Sequence, residues 1–230
     1  MSPIRPSLRC DDRLTGRYRV GMAGTREPVG LPTAERLKAF TDAVVAIAMT
    51  LLILPLMESV SDAGAGSGSV ETWLREEWSA LVTFALSFVL IANFWITHHR
   101  LFKRVDSVDS SLLWLSVAWM FTIVWLPVAT AITTAFDDDP LQETIYIGSL
   151  AVTSIVLNLT RVYLARHPML HSESKDDLRR GLVTGWVITA LFLVALAVAL
   201  VVPVIGYSAL FLLFLPQPIS AFLVRRIGDA

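Results

Sequence analysis

Six long apolar segments, separated by polar connectors, dominate the sequence. A helix needs roughly 20 apolar residues to cross about 30 Å of hydrocarbon at 1.5 Å per residue, and each segment is long enough. The pattern therefore predicts an all-α, polytopic membrane protein with six transmembrane helices per subunit. The predicted spans are residues 37–57, 79–99, 112–135, 142–163, 180–202 and 205–224.

Composition points the same way. Hydrophobic residues make up 54% of the 230 positions and charged residues only 17%, whereas an ordinary soluble chain carries about 25% charged residues. Residues 1–34 are rich in Arg, Gly and Pro and contain no apolar stretch of the kind found in secretory signals. We predict a disordered cytoplasmic tail over 1–34 and a six-helix membrane domain over 35–230. Cys10 is the single cysteine, so no disulfide can form within the chain.

The positions of the basic residues predict the orientation. Of the 19 lysines and arginines, all but Arg75 lie before or at the start of the first span, in alternate connectors or at the span ends beside them, or after the last span. Because Lys and Arg are enriched on the cytoplasmic side of membrane proteins, both termini are predicted to be cytoplasmic. This arrangement requires an even number of spans, and we expect a multi-pass protein of the cell membrane.

Asp42 is the acid that lies within an apolar run, near the cytoplasmic start of the first span. A carboxylate at that depth is costly and needs a partner or a function. Arg36 and His98 fall at the same predicted depth and are candidate partners. One interpretation is a structural network, aided by the helix dipole at the first turns. The other is a proton relay, which would make the protein a proton-coupled secondary transporter using Asp42 and His98.

Trp95, His98 and Phe102 recur at helical spacing near the inner end of the second span, so this face can brace a neighbouring helix. The adjacent His99 does not complete a metal site, because consecutive side chains point about 100° apart on a helix. We predict no metal site. The chain lacks a GxSxG motif, a nucleotide-binding glycine loop and paired carboxylates within a span, which disfavours an enzyme. Neither a cofactor nor a nucleic-acid partner is expected.

Residues 36–42 read RLKAFTD and residues 46–52 read AIAMTLL. This stretch resembles the first-helix signature RxxxFSD, followed by AIxxTLL, of the transmembrane protein 175 family of potassium channels. The sequence WITHHRLF at 95–102 is similar to the end of the same family's second helix. Thr41 replaces the usual Ser but keeps the hydroxyl, and Pro55 stands where an acidic residue is common. The resemblance covers the first two spans by motif and the other four by number and hydropathy.

The resemblance implies a six-helix subunit of the bacterial single-repeat type, embedded in the bilayer and assembled with itself as a homotetramer. The first helices would line a central cation path that favours potassium over sodium, with Ile47 as its narrowest ring and hydrophobic gate. Potassium is then the transported ion rather than a cofactor. The residues that would hold the first helix in position are Arg36, Phe40, Thr41, Asp42, Trp95 and His98.

The periodicity of the first span allows two interpretations. Ile47, Leu51 and Leu54 follow at i, i+4 and i+7, and Thr50 lies on the same face. In a pore, rings of these branched side chains would form a dry constriction with the Thr50 hydroxyl as the polar side chain. Alternatively, they contact lipid or other helices, and Thr50 bonds back to the Ala46 carbonyl. The resemblance favours the pore, and a membrane scaffold without transport stays open as a third class.

Overall fold

The computed structural model describes residues 33–66, 69–136 and 140–201. Within these ranges the chain is helical, with five segments long and apolar enough to cross a membrane. This confirms the all-helical membrane class, while the predicted tail, apart from its last two residues, and the predicted sixth span over 205–224 lie outside the described residues. The helices are α1 Ala34–Leu51, α2 Leu54–Ala65, α3 Val70–Glu76, α4 Trp78–Phe102, α5 Ser110–Ala135, α6 Pro140–Arg166 and α7 Lys175–Val201, with a 3₁₀ turn at Pro168–Leu170.

The first predicted span is interrupted near its outer end. Its helix α1 is capped by Thr33, whose hydroxyl accepts the Arg36 N–H, and runs from Ala34 to Leu51. Pro55 has no N–H to donate to the carbonyl four residues earlier, so the regular bond pattern stops there. The Ile53 N–H instead bonds to the Thr50 carbonyl at 3.4 Å, a tighter turn, and α2 follows. Together α1 and α2 form one apolar segment of 32 residues.

The connector after this span contains more helix than its polar sequence suggests. α2 continues to Ala65, and α3 begins after Ser69, whose hydroxyl accepts the Thr72 N–H at 3.1 Å. The indole N–H of Trp73 donates to the Ser59 hydroxyl at 2.8 Å, which joins α3 to α2. The next four predicted spans correspond to α4, α5, α6 and α7, and these helices begin and end within about five residues of the predicted positions.

The helices pack in a chain of neighbours. α1 lies against α4 and α5, α5 lies against α4 and α6, and α6 lies against α7. The largest fully buried side chains belong mainly to α4, α5 and α6, so the core is centred on these helices. They include Ile91, Phe102, Leu112, Trp119, Ile123, Leu126, Tyr146, Ile147, Leu150 and Leu164.

Two connectors meet at one end of the helices and form what we call the connector clasp, residues 104–107 and 170–173. Val105 pairs with His171 in an antiparallel bridge. The Asp106 N–H donates to the Leu170 carbonyl, and the Ser172 N–H donates to the Arg104 carbonyl, each at 2.9 Å. Both connectors are rich in basic residues, and the sequence predicts that both lie on the cytoplasmic side of the membrane.

Candidate functional site

The candidate pore face of α1 is exposed in the subunit. Exposed fractions are 60% for Ile47, 39% for Leu51 and 51% for Leu54. The opposite side of α1 is buried, because Leu37, Thr41, Val45, Ala48 and Leu52 pack into the core. In the described subunit α1 therefore has a packed side and an open side, and Ile47, Thr50 and Leu51 lie on the open side.

Thr50 bonds to its own helix. Its hydroxyl donates to the Ile47 carbonyl at 2.7 Å, three residues back, and not to the Ala46 carbonyl suggested by the sequence. This geometry satisfies the hydroxyl donor and leaves the oxygen as an acceptor. Thr50 is exposed beside Ile47 and Leu51, so an oxygen lone pair lies on an otherwise apolar face.

Leu54 is separated from the other three candidate pore residues by the turn at Leu52 and Ile53, and it is the first residue of α2. The sequence places all four on one continuous helix. Because Pro55 interrupts that helix, the regular spacing that relates Ile47, Thr50 and Leu51 does not extend to Leu54.

Asp42 accepts a hydrogen bond from the indole N–H of Trp95 at 2.8 Å, which joins α1 to α4. The Nδ1 atom of His99 lies 4.0 Å from the same carboxylate oxygen, and the His99 ring is tilted against the Trp95 ring with centroids 5.6 Å apart. Asp42 and Trp95 are thus brought together as the positioning network predicts. The histidine beside Asp42 is His99 rather than His98.

His98 is buried and contacts a different helix. Its ring is stacked between Phe102 and Trp119, with centroid distances of 4.2 and 4.1 Å and an interplanar angle of 15° in each pair. The predicted bracing role of this α4 face is therefore directed at α5. Because His98 and His99 point in different directions on the helix, only one of them can face α1. The expected pairing of His98 with Asp42 is absent from the described structure.

The other predicted positioning residues divide into two groups. Thr41 is completely buried, and its hydroxyl donates to the Leu37 carbonyl at 2.9 Å, so it serves the packed side of α1. Arg36 and Phe40 are exposed. In the described part of the chain, no hydrogen bond or ion pair joins the Arg36 side chain to Asp42.

Lys38 is a positioning residue that the sequence analysis missed. Its ammonium group donates to the Val105 carbonyl at 3.1 Å and ties α1 to the connector clasp. A lysine at the start of a membrane helix looks like an ordinary interfacial charge, so only the fold reveals its acceptor. Among described residues, no group of three or more His, Cys, Asp or Glu side chains is placed to hold a metal ion.

Comparison with known proteins identifies the sequence relationship. The family model described as endosomal/lysosomal potassium channel TMEM175 matches residues 36–127, which include both motifs quoted from the first two spans. A protein named a potassium channel from Streptomyces collinus is 34% identical over 96 residues, which is 42% of this chain and 45% of that relative. The resemblance to the transmembrane protein 175 family is therefore confirmed.

Other relatives carry a different functional name. A human protein named an endosomal/lysosomal proton channel is 28% identical over 144 residues, 62% of this chain and 28% of its own length. This chain thus spans less than half the length of these two relatives. The crystal structure of a lysosomal potassium-selective channel homologue from Chamaesiphon minutus superposes with a TM-score of 0.65, at 23% identity, covering 81% of this chain and 97% of that one.

Proposed function

We propose that this chain, a TMEM175 family protein over residues 36–127, is a subunit of a potassium-permeable cation channel in the cell membrane, selective for potassium over sodium. Several bacterial relatives are named potassium channels, and the fold matches that of a channel homologue. The long apolar helices support a role within a bilayer. We thus assign to this chain the activity for which those relatives are named.

The proposed pore lies on the axis of a homotetramer, and the open side of α1 faces that axis. Ile47 forms the hydrophobic gate, and Thr50, Leu51 and Leu54 line the path beyond it. The single observation that carries this assignment is that Ile47, Thr50 and Leu51 of the AIAMTLL motif are exposed in the described subunit, while Ala48 and Leu52 of the same motif are buried. Exposure alone would not suffice, because α5 also exposes large residues such as Trp114 and Phe121.

Such a face suits a gate rather than a binding site. Branched apolar rings exclude water from a narrow path, so an ion crosses only when the rings widen. The Thr50 hydroxyl supplies an oxygen that can replace part of an ion's hydration shell. The Asp42–Trp95 hydrogen bond and the hydrogen bond from Lys38 to Val105 lie between Ile47 and the predicted cytoplasmic end of α1. There they hold α1 in position against α4 and the connector clasp.

A proton-coupled transporter using Asp42 and His98 receives no support from side-chain geometry. The two groups are held by different partners, Trp95 for the carboxylate and Phe102 with Trp119 for the imidazole. A relay requires donor and acceptor within hydrogen-bond reach or joined by water.

Reconstituted liposomes test the proposal. Potassium efflux down its own gradient should proceed without a proton gradient, should collapse when sodium replaces potassium, and should appear as unitary currents in a planar bilayer. Flux that saturates with potassium and requires a proton gradient would identify a transporter. Native mass spectrometry of the same preparation should give the mass of four subunits, and a monomer would contradict the shared pore.

A further inference from the structure

A second polar feature lies away from the α1 face, between α4, α6 and α7. Arg161 is placed within the apolar span of α6, five residues before that helix ends. Five residues of helix correspond to about 7.5 Å of depth. An arginine at that depth is costly unless an anion or several acceptors compensate its charge.

The described acceptors around Arg161 are neutral. Its Nη1 atom donates to the Asn158 side-chain oxygen at 3.3 Å and to the Gly181 carbonyl at 3.1 Å. A guanidinium carries five N–H donors, and all of its hydrogen bonds to described residues come from Nη1. The sequence after α7 supplies no acid before Asp229, so the predicted sixth span brings no carboxylate to the site.

The guanidinium borders a cavity of about 40 Å³. A water molecule needs roughly 10–15 Å³ measured in this way, so the space corresponds to about three waters. No acidic side chain is among the described residues that line it, and Phe94 and Phe192 stack at 6.0 Å to form an apolar wall. The polar lining residues are Asn93, Thr97, Ser154, Asn158 and Arg161.

Gly185 creates the room for this arrangement. A Cβ at this position would overlap both the Asn158 side-chain oxygen and Nη1 of Arg161. Asn158 is in turn fixed by its amide, which donates to the Thr189 hydroxyl at 2.7 Å. The arginine is therefore held in place at the interface between α6 and α7, with further N–H donors that bond to none of the described residues.

We propose that the Arg161 pocket binds a phosphate group. The planar guanidinium matches phosphate oxygens in geometry and charge. The cavity accepts the oxygens but not a complete headgroup, and the apolar wall suits the chain of a lipid that approaches from the membrane. The end of α6 near Arg161 is the one that the basic connectors predict to face the cytoplasm, where anionic lipids concentrate. The phosphate can come from such a lipid or from free phosphate.

Binding is measured on the full-length protein in detergent, by thermal unfolding and by native mass spectrometry, with phosphatidylglycerol, phosphatidylcholine or inorganic phosphate as the probe. We expect phosphatidylglycerol to bind and to raise Tm, and Arg161→Gln to weaken its binding about tenfold. Arg166→Gln, at the exposed end of the same helix, is the matched control and should bind as the wild type does. Asn93→Leu, at the exposed mouth of the pocket, should weaken binding several-fold.

If inorganic phosphate without lipid binds and raises Tm as much as phosphatidylglycerol does, the site is supported and free phosphate is its ligand. Binding of phosphatidylglycerol and of inorganic phosphate that is equally strong in the wild type and in Arg161→Gln would overturn the proposal. If Arg161→Gln does not fold, a photoactivatable phosphatidylglycerol on the wild type decides the matter. Its label must fall on the lining segments of α4, α6 and α7, and labelling elsewhere would also overturn the proposal. These readouts do not depend on ion conduction.

Discussion

The outer half of α1 and the interface between α6 and α7 are both parts of apolar helices, but they are held in different ways. In the described structure, the Thr50 hydroxyl on the open side of α1 bonds only within its own helix. Between α6 and α7, by contrast, polar side chains bond across the interface. Thr189 contacts Ser154 and Asn158, each at 2.7 Å, and Arg161 reaches the Gly181 carbonyl.

The difference teaches how a membrane subunit can combine a movable part with a fixed one. A cross-helix hydrogen bond in lipid must be broken before the helices shift, because no water replaces the lost partner. Apolar contacts can slide at lower cost. In the channel that we propose, the open side of α1 would widen about the shared axis, while α6 and α7 would form the fixed support. Among the described residues, the side-chain hydrogen bonds that join α1 to other parts of the chain lie in its N-terminal half, at Lys38 and Asp42.

The largest expected effect is on ion flux. Ile47→Asn places four amides in the proposed constriction, admits water and should raise potassium flux on the order of a hundredfold, equivalent to a barrier lower by about 2.7 kcal/mol. The measurement is fluorescence-monitored efflux from liposomes. Val124→Asn, on the exposed surface of α5, is the matched control and should leave flux unchanged. Unaltered flux in Ile47→Asn would refute the gate.

The next effect concerns the fixed interface. Gly185→Ala forces Asn158 and Arg161 to move and should lower the free energy of unfolding by about 2 kcal/mol. Gly181→Ala meets its nearest side-chain atom, Nε of Arg161, at 3.9 Å and should be tolerated. Chemical denaturation in detergent compares the two. Similar stability of both variants would show that the interface is not closely packed at Gly185.

The inner anchors of α1 should contribute less. Trp95→Phe removes the donor to Asp42, and Lys38→Met removes the donor to the Val105 carbonyl. Each loss should cost about 1 kcal/mol of unfolding free energy, since both bonds involve a charged group and are partly buried. If the two bonds anchor one helix end jointly, the rise in flux in the double variant should exceed the sum of the rises in the two single variants. Strictly additive changes in flux would indicate independent contacts.

The smallest expected effect is the pH dependence of the stability that Asp109 contributes at the N-terminal end of α5. Burial raises the pKa of Asp109, but hydrogen bonds from the Tyr163 hydroxyl and the Leu112 N–H outweigh it and hold this pKa below its ordinary value of 3.8. Ionised Asp109 therefore stabilises the fold above about pH 3.8, and this contribution disappears as pH falls through the lower folded-state pKa. The difference in Tm between the wild type and Asp109→Asn should shrink over that range. A constant difference would contradict the assignment.

Local patterns predicted several features correctly. Hydropathy located the five described spans, because the length of an apolar run is a property of consecutive residues. The motifs in the first two spans resembled the family whose model matches residues 36–127, and helical spacing grouped Ile47, Thr50 and Leu51 on one face of α1. The break before Leu54 follows from Pro55, yet its effect on the shared face of the pore residues requires backbone geometry.

Tertiary structure alone decided which groups meet. The sequence cannot tell whether His98 or His99 faces Asp42, because a rotation of α4 by about 100° exchanges them. In the structure, His98 stacks between Phe102 of its own helix and Trp119 of α5, and this packing fixes the rotation. The same reason applies to Lys38 and to the Arg161 pocket, whose partners lie 67 and 20 residues away. The length of an apolar segment is determined by consecutive residues, whereas the pairing of polar side chains depends on how the helices are rotated and packed against one another.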